Sequence, residues 1–195
     1  MRSGGDEPRV RAFVAIPIAE PARTAVLAYL ERLRATVGGV AWTRSENLHF
    51  TLRFLGDVPA GRIAGLGVRL QTLAPVAGPF TLQVVGVGAF PSLARPRVIW
   101  VGVSSPLLAP LADAVESACV AEGFEPERRP LRPHVTLGRV RATDRKGIPD
   151  LGFLAADGDR DFGGAPVDGI VLFRSELRAE GARHTVLARV TLTGG

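Results

Sequence analysis

The sequence predicts an α+β fold of two lobes that share a cleft, with predominantly antiparallel strands. Three observations support this prediction. The four-residue pattern H-x-T-L occurs twice, at His49 and at His134. A strand-like and a helix-like segment precede each copy, and no low-complexity segment or long linker separates the two halves. With 195 residues, 46% of them hydrophobic, we expect residues 1–195 to form one two-lobed domain.

The first half of the chain alternates strand-like and helix-like segments. "VRAFVAIPI" from Val10 predicts a strand that ends near Pro17. "PARTAVLAYLERLRATVGG" predicts a helix that begins at Pro21 and stops at a glycine pair. The first motif strand follows and closes at Gly56, and a second helix is expected from about Ala60 to Leu73.

The second half repeats this alternation. "FTLQVVGVGAF" and "RVIWVGV" predict two strands, "PLLAPLADAVESACVAEG" predicts a helix, and the second motif strand follows a proline-rich basic stretch. "VDGIVLFRSEL" and "ARHTVLARVTL" predict two closing strands, while "ATDRKGIPD" and "AADGDRDFGG" are predicted to be loops.

Composition narrows the classes of function. Cys119 is the only cysteine, which excludes an intrachain disulfide and a thiolate-rich zinc site, and helical spacing predicts it in the core. No apolar run approaches the roughly 18 residues of a membrane span, and the N-terminus lacks the apolar stretch of a secretion signal, so we expect a cytoplasmic protein without a membrane partner.

The net charge of +5 comes almost wholly from arginine, because Lys146 is the only lysine. The guanidinium group can make two hydrogen bonds at once to an oxyanion, which favours a polyanionic partner. A compositional preference for arginine on a solvated surface is the alternative.

The paired motif carries the chemistry. Because alternate side chains of a strand share a face, His49, Thr51 and Arg53 point one way, and His134 and Thr136 do so in the second copy. Two opposed faces of this kind suit phosphodiester cleavage: one imidazole accepts a proton, the other donates one, and hydroxyls bind phosphate oxygens. No metal is required. A structural pairing of each histidine with its threonine is the alternative, and two histidines fall short of a metal-ligand set.

"ENLHFTLRFLG", "RPHVTLGRV", "RAFVAI" and "LFRSELRAEGARHTVLARVTL" resemble the two-histidine phosphoesterase superfamily. Within it, the chain is most similar to the bacterial and archaeal RNA 2′,3′-cyclic phosphodiesterases, formerly called 2′-5′ RNA ligases. The resemblance implies a bilobal fold with pseudo-twofold symmetry, in which two mainly antiparallel sheets carry helices on the outside around a central cleft. It also implies metal-independent hydrolysis of a terminal 2′,3′-cyclic phosphate to a 2′-phosphate, without a cofactor.

Residue roles follow from this resemblance. It implies that His49 is the proton donor, that His134 is the proton acceptor, and that Thr51 and Thr136 bind the phosphate. The residues themselves leave open which histidine plays which role, because the two motifs are nearly symmetric. His184 stands where family members often carry a tyrosine.

Four further residues are expected at the site. Arg139 matches a phosphate-binding arginine of the family, although strict alternation places it on the core face; a bulge at Gly138 would re-aim it. Arg53 is expected to line the cleft. Phe13 and Phe54 are expected either to stack on a base or to pack in the core.

The expected partner is RNA with 2′,3′-cyclic phosphate ends, or a small cyclic nucleotide, bound by a monomer. The basic stretch that contains Arg128, Arg129 and Arg132 would guide an RNA backbone toward the cleft. Two alternatives stay open: joining of RNA through a 2′-5′ linkage, and an RNA-end binding module without catalysis.

Overall fold

A computed structural model describes residues 7–141, 149–178 and 181–194. Within these ranges the chain forms nine strands, three α-helices and two short 3-10 helices. The strands are β1 (Arg9–Pro17), β2 (Val40–Trp42), β3 (His49–Pro59), β4 (Phe80–Phe90), β5 (Val98–Ser104), β6 (His134–Val140), β7 (Asp161–Val167), β8 (Gly169–Arg178) and β9 (Gly181–Thr191). The helices are α1 (Ala22–Thr36), α2 (Ala60–Gln71) and α3 (Leu108–Ala121).

The three predicted helices are confirmed, because each shows one apolar face at helical spacing. The buried positions are Ala22, Val26, Tyr29, Leu30 and Leu33 in α1, Ile63, Leu66 and Leu70 in α2, and Leu108, Leu111, Val115, Ala118 and Cys119 in α3. Cys119 lies in the core, as predicted. None of the described helices is both long and apolar enough to cross a membrane.

All strand pairs are antiparallel, and the strands follow one another in the order β7-β4-β5-β6-β3-β1-β8-β9, with β2 paired to β6. The α+β fold class is confirmed. The two predicted sheets are joined into one sheet of nine strands, with the halves β7-β4-β5-β6 and β3-β1-β8-β9. They join where β3 meets β6, through the pair Phe50 and Val135.

The helices tie the halves together. Helix α1 follows β1 in one half of the sheet but packs against β7 in the other half, and α3 follows β5 but packs against β3. Helix α2 packs against β9 and α3. Because each half is covered partly by a helix from the other, the halves share one hydrophobic core.

The structure contradicts one of the two loop predictions. In "AADGDRDFGG" the first residues belong to a 3-10 helix, Gly152–Asp157, and the last ones begin β7, which pairs with β4. Phe162, Ala165 and Val167 of β7 are buried, so the strand forms despite its glycine-rich and aspartate-rich sequence. The other predicted loop, "ATDRKGIPD", falls mostly on residues 142–148, outside the described residues.

The shared core yields a stability prediction. Leu111 of α3 is completely buried, so Leu111→Ala should lower the free energy of unfolding by about 2–5 kcal/mol in urea denaturation. Leu177→Ala is the matched control, because Leu177 is 76% exposed; it should change stability by about 0.5 kcal/mol or less. Equal effects of the two substitutions would contradict the placement of α3 over the core.

Candidate active site

The two motifs lie side by side at the junction of the halves. β3 begins at His49 and β6 begins at His134, and the residue after each histidine, Phe50 or Val135, is buried. Because Phe50 and Val135 pair and point into the core, the motif histidines and threonines emerge on the opposite side. We call this side of the sheet the cleft face.

The register sets the spacing of the two imidazoles. When the register of the Phe50–Val135 pair is extended by one residue in each direction, His49 lies opposite Thr136 and Thr51 lies opposite His134. The two histidines are then diagonal neighbours, with Cβ atoms about 7 Å apart. The two imidazoles and the two hydroxyl groups therefore border one space on the cleft face.

Each imidazole is held by the same backbone contact. Nδ1 of His49 lies 2.7 Å from the carbonyl oxygen of Asn47, and Nδ1 of His134 lies 2.6 Å from that of Arg132. A carbonyl only accepts, so Nδ1 is the protonated nitrogen of both rings and donates this hydrogen bond. Nε2 is thereby left to exchange protons with a ligand.

The aromatic neighbours of the two histidines differ. The His49 ring stacks on Phe13 at 4.8 Å between centroids and meets His184 edge to face at 5.3 Å. The His134 ring meets Phe90 edge to face at 5.0 Å. His49 therefore lies in the more enclosed aromatic surroundings.

These surroundings lower the pKa of both motif histidines. Burial, followed by the charge of His184, lowers the pKa of His49 to about 4. Burial also lowers the pKa of His134, and the nearby Arg139 and Arg132 add to that. Both imidazoles are therefore mostly neutral at pH 7. A bound phosphate would raise both pKa values, because a negative charge stabilises the imidazolium form.

A β-bulge brings Arg139 to the cleft face. Thr136 pairs with Trp100, but the preceding residue of β5 pairs with Gly138, which leaves Leu137 as an extra residue. The alternation of β6 shifts by one at this point, so Arg139 faces the same side as Thr136. The predicted bulge at Gly138 is confirmed. Arg139 is exposed, and its charge lowers the pKa of both motif histidines, so it lies near both.

The first motif carries an equivalent bulge that the sequence analysis missed. Thr51 pairs with Ala15, but the preceding residue of β1 pairs with Arg53, which leaves Leu52 as the extra residue. Arg53 therefore points to the helix side of the sheet. The prediction that Arg53 lines the cleft is wrong, because it assumed unbroken alternation.

Arg53 instead is the buried centre of an ionic network with two half-buried glutamates. It is 8% exposed, and it contacts Glu116 at 2.7 Å and Glu127 at 3.3 Å. It also donates to the backbone carbonyl oxygen of Glu125. This network fastens β3 to α3 and to the stretch that leads into β6, so Arg53 serves the scaffold.

The bulge in β3 also moves Phe54. Phe54 pairs with Phe13 and thus joins the cleft face, where it is 38% exposed and lies 4.7 Å beneath the guanidinium group of Arg11. Phe13, by contrast, is only 4% exposed, and its ring is covered by His49, Phe173 and His184. Of the two expectations for Phe13, packing in the core is confirmed, and its ring supports the His49 ring.

Several neighbours of the histidines were not foreseen. Asn47 and Arg132 hold the imidazoles through backbone carbonyls, which leave no trace in residue type. The side-chain amide of buried Asn47 also donates to the carbonyl oxygen of Ala182 at 2.7 Å, which ties the turn before His49 to β9. Phe90 and Phe173 come from distant strands, so only the sheet order reveals them. In the part of the chain that the structure describes, no three His, Cys, Asp or Glu residues form a metal-ligand group.

The sequence profile of the LigT-like phosphoesterases matches this chain twice, over residues 16–100 and again over 101–183. The chain belongs to the LigT-like phosphoesterase family. The two motif histidines fall at the same position in the two matched segments, which agrees with the repeat seen in the sequence and with the matched bulges of β3 and β6.

Individual members of the LigT-like family agree in length and in fold. An Aeropyrum pernix protein named RNA 2′,3′-cyclic phosphodiesterase is 36% identical over 83% of this chain and 93% of its own length. A crystal structure from Thermus thermophilus has a TM-score of 0.78 at 28% identity and covers 94% of this chain and 98% of its own. Escherichia coli LigT complexed with 3′-AMP has a TM-score of 0.73 at 26% identity and covers 95% of this chain and 99% of its own.

The contrast between Arg53 and Arg139 yields a prediction. Arg53→Ala leaves two half-buried carboxylates without their buried partner and should lower the free energy of unfolding by about 2 kcal/mol. Arg139→Ala is the matched control, because Arg139 is exposed and makes no ion pair with any described residue; it should change stability by about 0.5 kcal/mol or less. Urea denaturation of both variants measures these changes. An unchanged free energy of unfolding in Arg53→Ala would mean that the network does not stabilise the fold.

Proposed function

We propose that the protein hydrolyses RNA 2′,3′-cyclic phosphate ends to 2′-phosphates without a metal ion, with His49 and His134 as the acid/base pair. The observation that carries the proposal is the matched pair of imidazoles on neighbouring strands, each holding its Nδ1 proton on a backbone carbonyl and leaving Nε2 free. The curated relatives named RNA 2′,3′-cyclic phosphodiesterase and the nucleotide bound to Escherichia coli LigT support the choice of substrate.

The proposed step conserves protons. One neutral imidazole takes a proton from water as the water oxygen attacks phosphorus, and the bond between phosphorus and the 3′ oxygen breaks. The other imidazole, protonated, gives its proton to that oxygen. The products are a 2′-phosphate and a free 3′-hydroxyl group. The following turnover starts when the proton passes back between the two histidines through solvent.

Three side chains complete the proposed site. The hydroxyl groups of Thr51 and Thr136 face the same space as the imidazoles and donate hydrogen bonds to the non-bridging phosphate oxygens. Arg139 adds a charged donor at the end of the same face. A cation at this position offsets the additional negative charge of the five-coordinate transition state, which is the task that a metal ion performs in other phosphoesterases.

The family resemblance assigns the donor role to His49 and the acceptor role to His134. A donor with a pKa of about 4 is neutral before substrate arrives. We propose that the phosphate raises this pKa on binding, so that His49 takes up its proton together with the substrate. We propose further that the whole chain of 1–195 is one two-lobed domain that acts as a monomer in the cytoplasm.

A direct assay tests the proposal. The protein in EDTA, given an oligoribonucleotide with a 2′,3′-cyclic phosphate end, should yield a 2′-phosphate. His49→Ala and His134→Ala should each lower kcat/KM by about 100-fold to 10,000-fold, the usual contribution of a general acid or base. Thr51→Val should lower kcat/KM as well. Thr81→Val is its control, because Thr81 lies on β4 away from the motifs. A 3′-phosphate product, or activity only with added metal, would refute the proposal.

The pH dependence follows from the two lowered pKa values. The active form carries one proton on the histidine pair, whichever histidine holds it, so kcat/KM should be bell-shaped. Both limbs lie below the ordinary histidine pKa of about 6.5, so the optimum for kcat/KM should be acidic. His184→Gln removes a positive neighbour of His49 and should move the acidic limb to higher pH. An optimum above pH 7 for wild type would contradict this account.

A further inference from the structure

We infer that the cleft contains a subsite beside His134 for the second base of an RNA substrate, formed by Trp100 and Phe90 and bordered by Arg132. The substrate would then be single-stranded RNA of at least two nucleotides, in preference to a mononucleoside cyclic phosphate. This inference rests on the proposed function and specifies its substrate.

The sheet register places both rings on the cleft face. Trp100 of β5 pairs with Thr136, so its side chain emerges beside the second motif. On β4, Gly88 pairs with Trp100 and Phe90 lies two residues further along, on the same side of the strand. The ring centroids of Phe90 and Trp100 are 5.2 Å apart and the planes are inclined by 32°. Together the two rings extend the cleft away from the histidines.

Glycine keeps the indole ring flat on the sheet. A Cβ atom on Gly88 would overlap the six-membered ring of Trp100, so the indole lies across the backbone of β4. A ring in this position forms the floor of a groove. Trp100 and Phe90 are both partly exposed, which leaves aromatic surface for a ligand.

The border of this floor is positively charged. The guanidinium group of Arg132 lies 5.5 Å above the Phe90 ring, and Arg139 shares the cleft face with Trp100. Neither arginine forms a salt bridge with any of the described acidic side chains. Two charged groups without a carboxylate partner, next to aromatic rings, match the needs of a single strand, whose bases stack and whose phosphates require cations.

The other side of the cleft offers no cation without a carboxylate partner. Phe13 stacks on His49 but is buried, so its ring offers no free surface. Phe54 is 38% exposed, but the guanidinium group of Arg11 lies over its ring, and Arg11 contacts Asp57 at 3.7 Å. The pair of exposed rings beside unpaired arginines therefore lies on the His134 side, and we infer that the bound strand leaves the histidine pair in this direction.

The experiment compares two substrates that end in the same group. For wild type, kcat/KM on a dinucleotide with a 2′,3′-cyclic phosphate should exceed kcat/KM on the matching mononucleoside 2′,3′-cyclic phosphate by about tenfold or more, the usual gain from one stacked base. Trp100→Leu should reduce this ratio to near one. For the dinucleotide, a plot of log kcat/KM against log salt concentration has a negative slope. Arg132→Gln should make this slope shallower by about 0.7, because one phosphate contact is lost.

Two controls separate recognition from folding. Arg34→Gln changes an exposed arginine of α1 that pairs with Glu31, and it should leave the ratio unchanged. In a Trp42→Phe background, Trp100 is the only tryptophan. Its fluorescence should then fall on binding of the dinucleotide product and much less on binding of the mononucleotide product.

The outcomes distinguish the subsite from the proposed function. Equal kcat/KM on both substrates, or an equal loss on both in Trp100→Leu, would overturn the subsite and leave the hydrolase proposal in place. Absence of hydrolysis with either substrate would overturn the proposed function itself. A reduced ratio in Trp100→Leu, with a much larger fluorescence change for the dinucleotide product than for the mononucleotide product, would establish the subsite.

Discussion

The pairing of Phe50 with Val135 is the constraint on which the site depends. Both side chains are buried in the core that the halves share, so a slip of either strand by one residue would expose them and bury a motif histidine. The hydrophobic core therefore fixes the register of the motif strands, and that register fixes the spacing of the imidazoles. The chemistry on the cleft face relies on apolar packing on the opposite face.

The matched bulges show how a duplicated lobe can supply unlike groups. In both copies an extra leucine follows the motif threonine, so the next residue turns toward the core and the one after it toward the cleft. The core-facing positions hold Arg53 and Gly138, and the cleft-facing positions hold Phe54 and Arg139. One backbone geometry thus places an aromatic ring on the His49 side of the cleft face and a cation on the His134 side.

Periodicity made the helices and the motif strands predictable, because one apolar face has to meet the core. The second bulge was also foreseeable, since Gly138 marks it. The first was missed because arginine occupies the equivalent position; aligning the two H-x-T-L copies would have revealed it, as Arg53 then falls on Gly138. The burial of Phe13 and the strand β7 depend on partners distant in sequence, Phe173 and β4, so local composition could not predict them.

A histidine pair that transfers protons in opposite directions gains from unequal surroundings, because identical environments would give both imidazoles the same affinity for a proton. The fold produces this inequality without changing the motif. His49 stacks on buried Phe13 and faces His184, whereas His134 meets only the edge of Phe90 and lies on the more open side. Burial lowers the pKa of His49 to about 4, and it lowers the pKa of His134 as well, but in surroundings that contain Arg139 and Arg132 and not His184. The aromatic residues outside the repeated motif therefore turn two near-identical strands into a site with distinct ends.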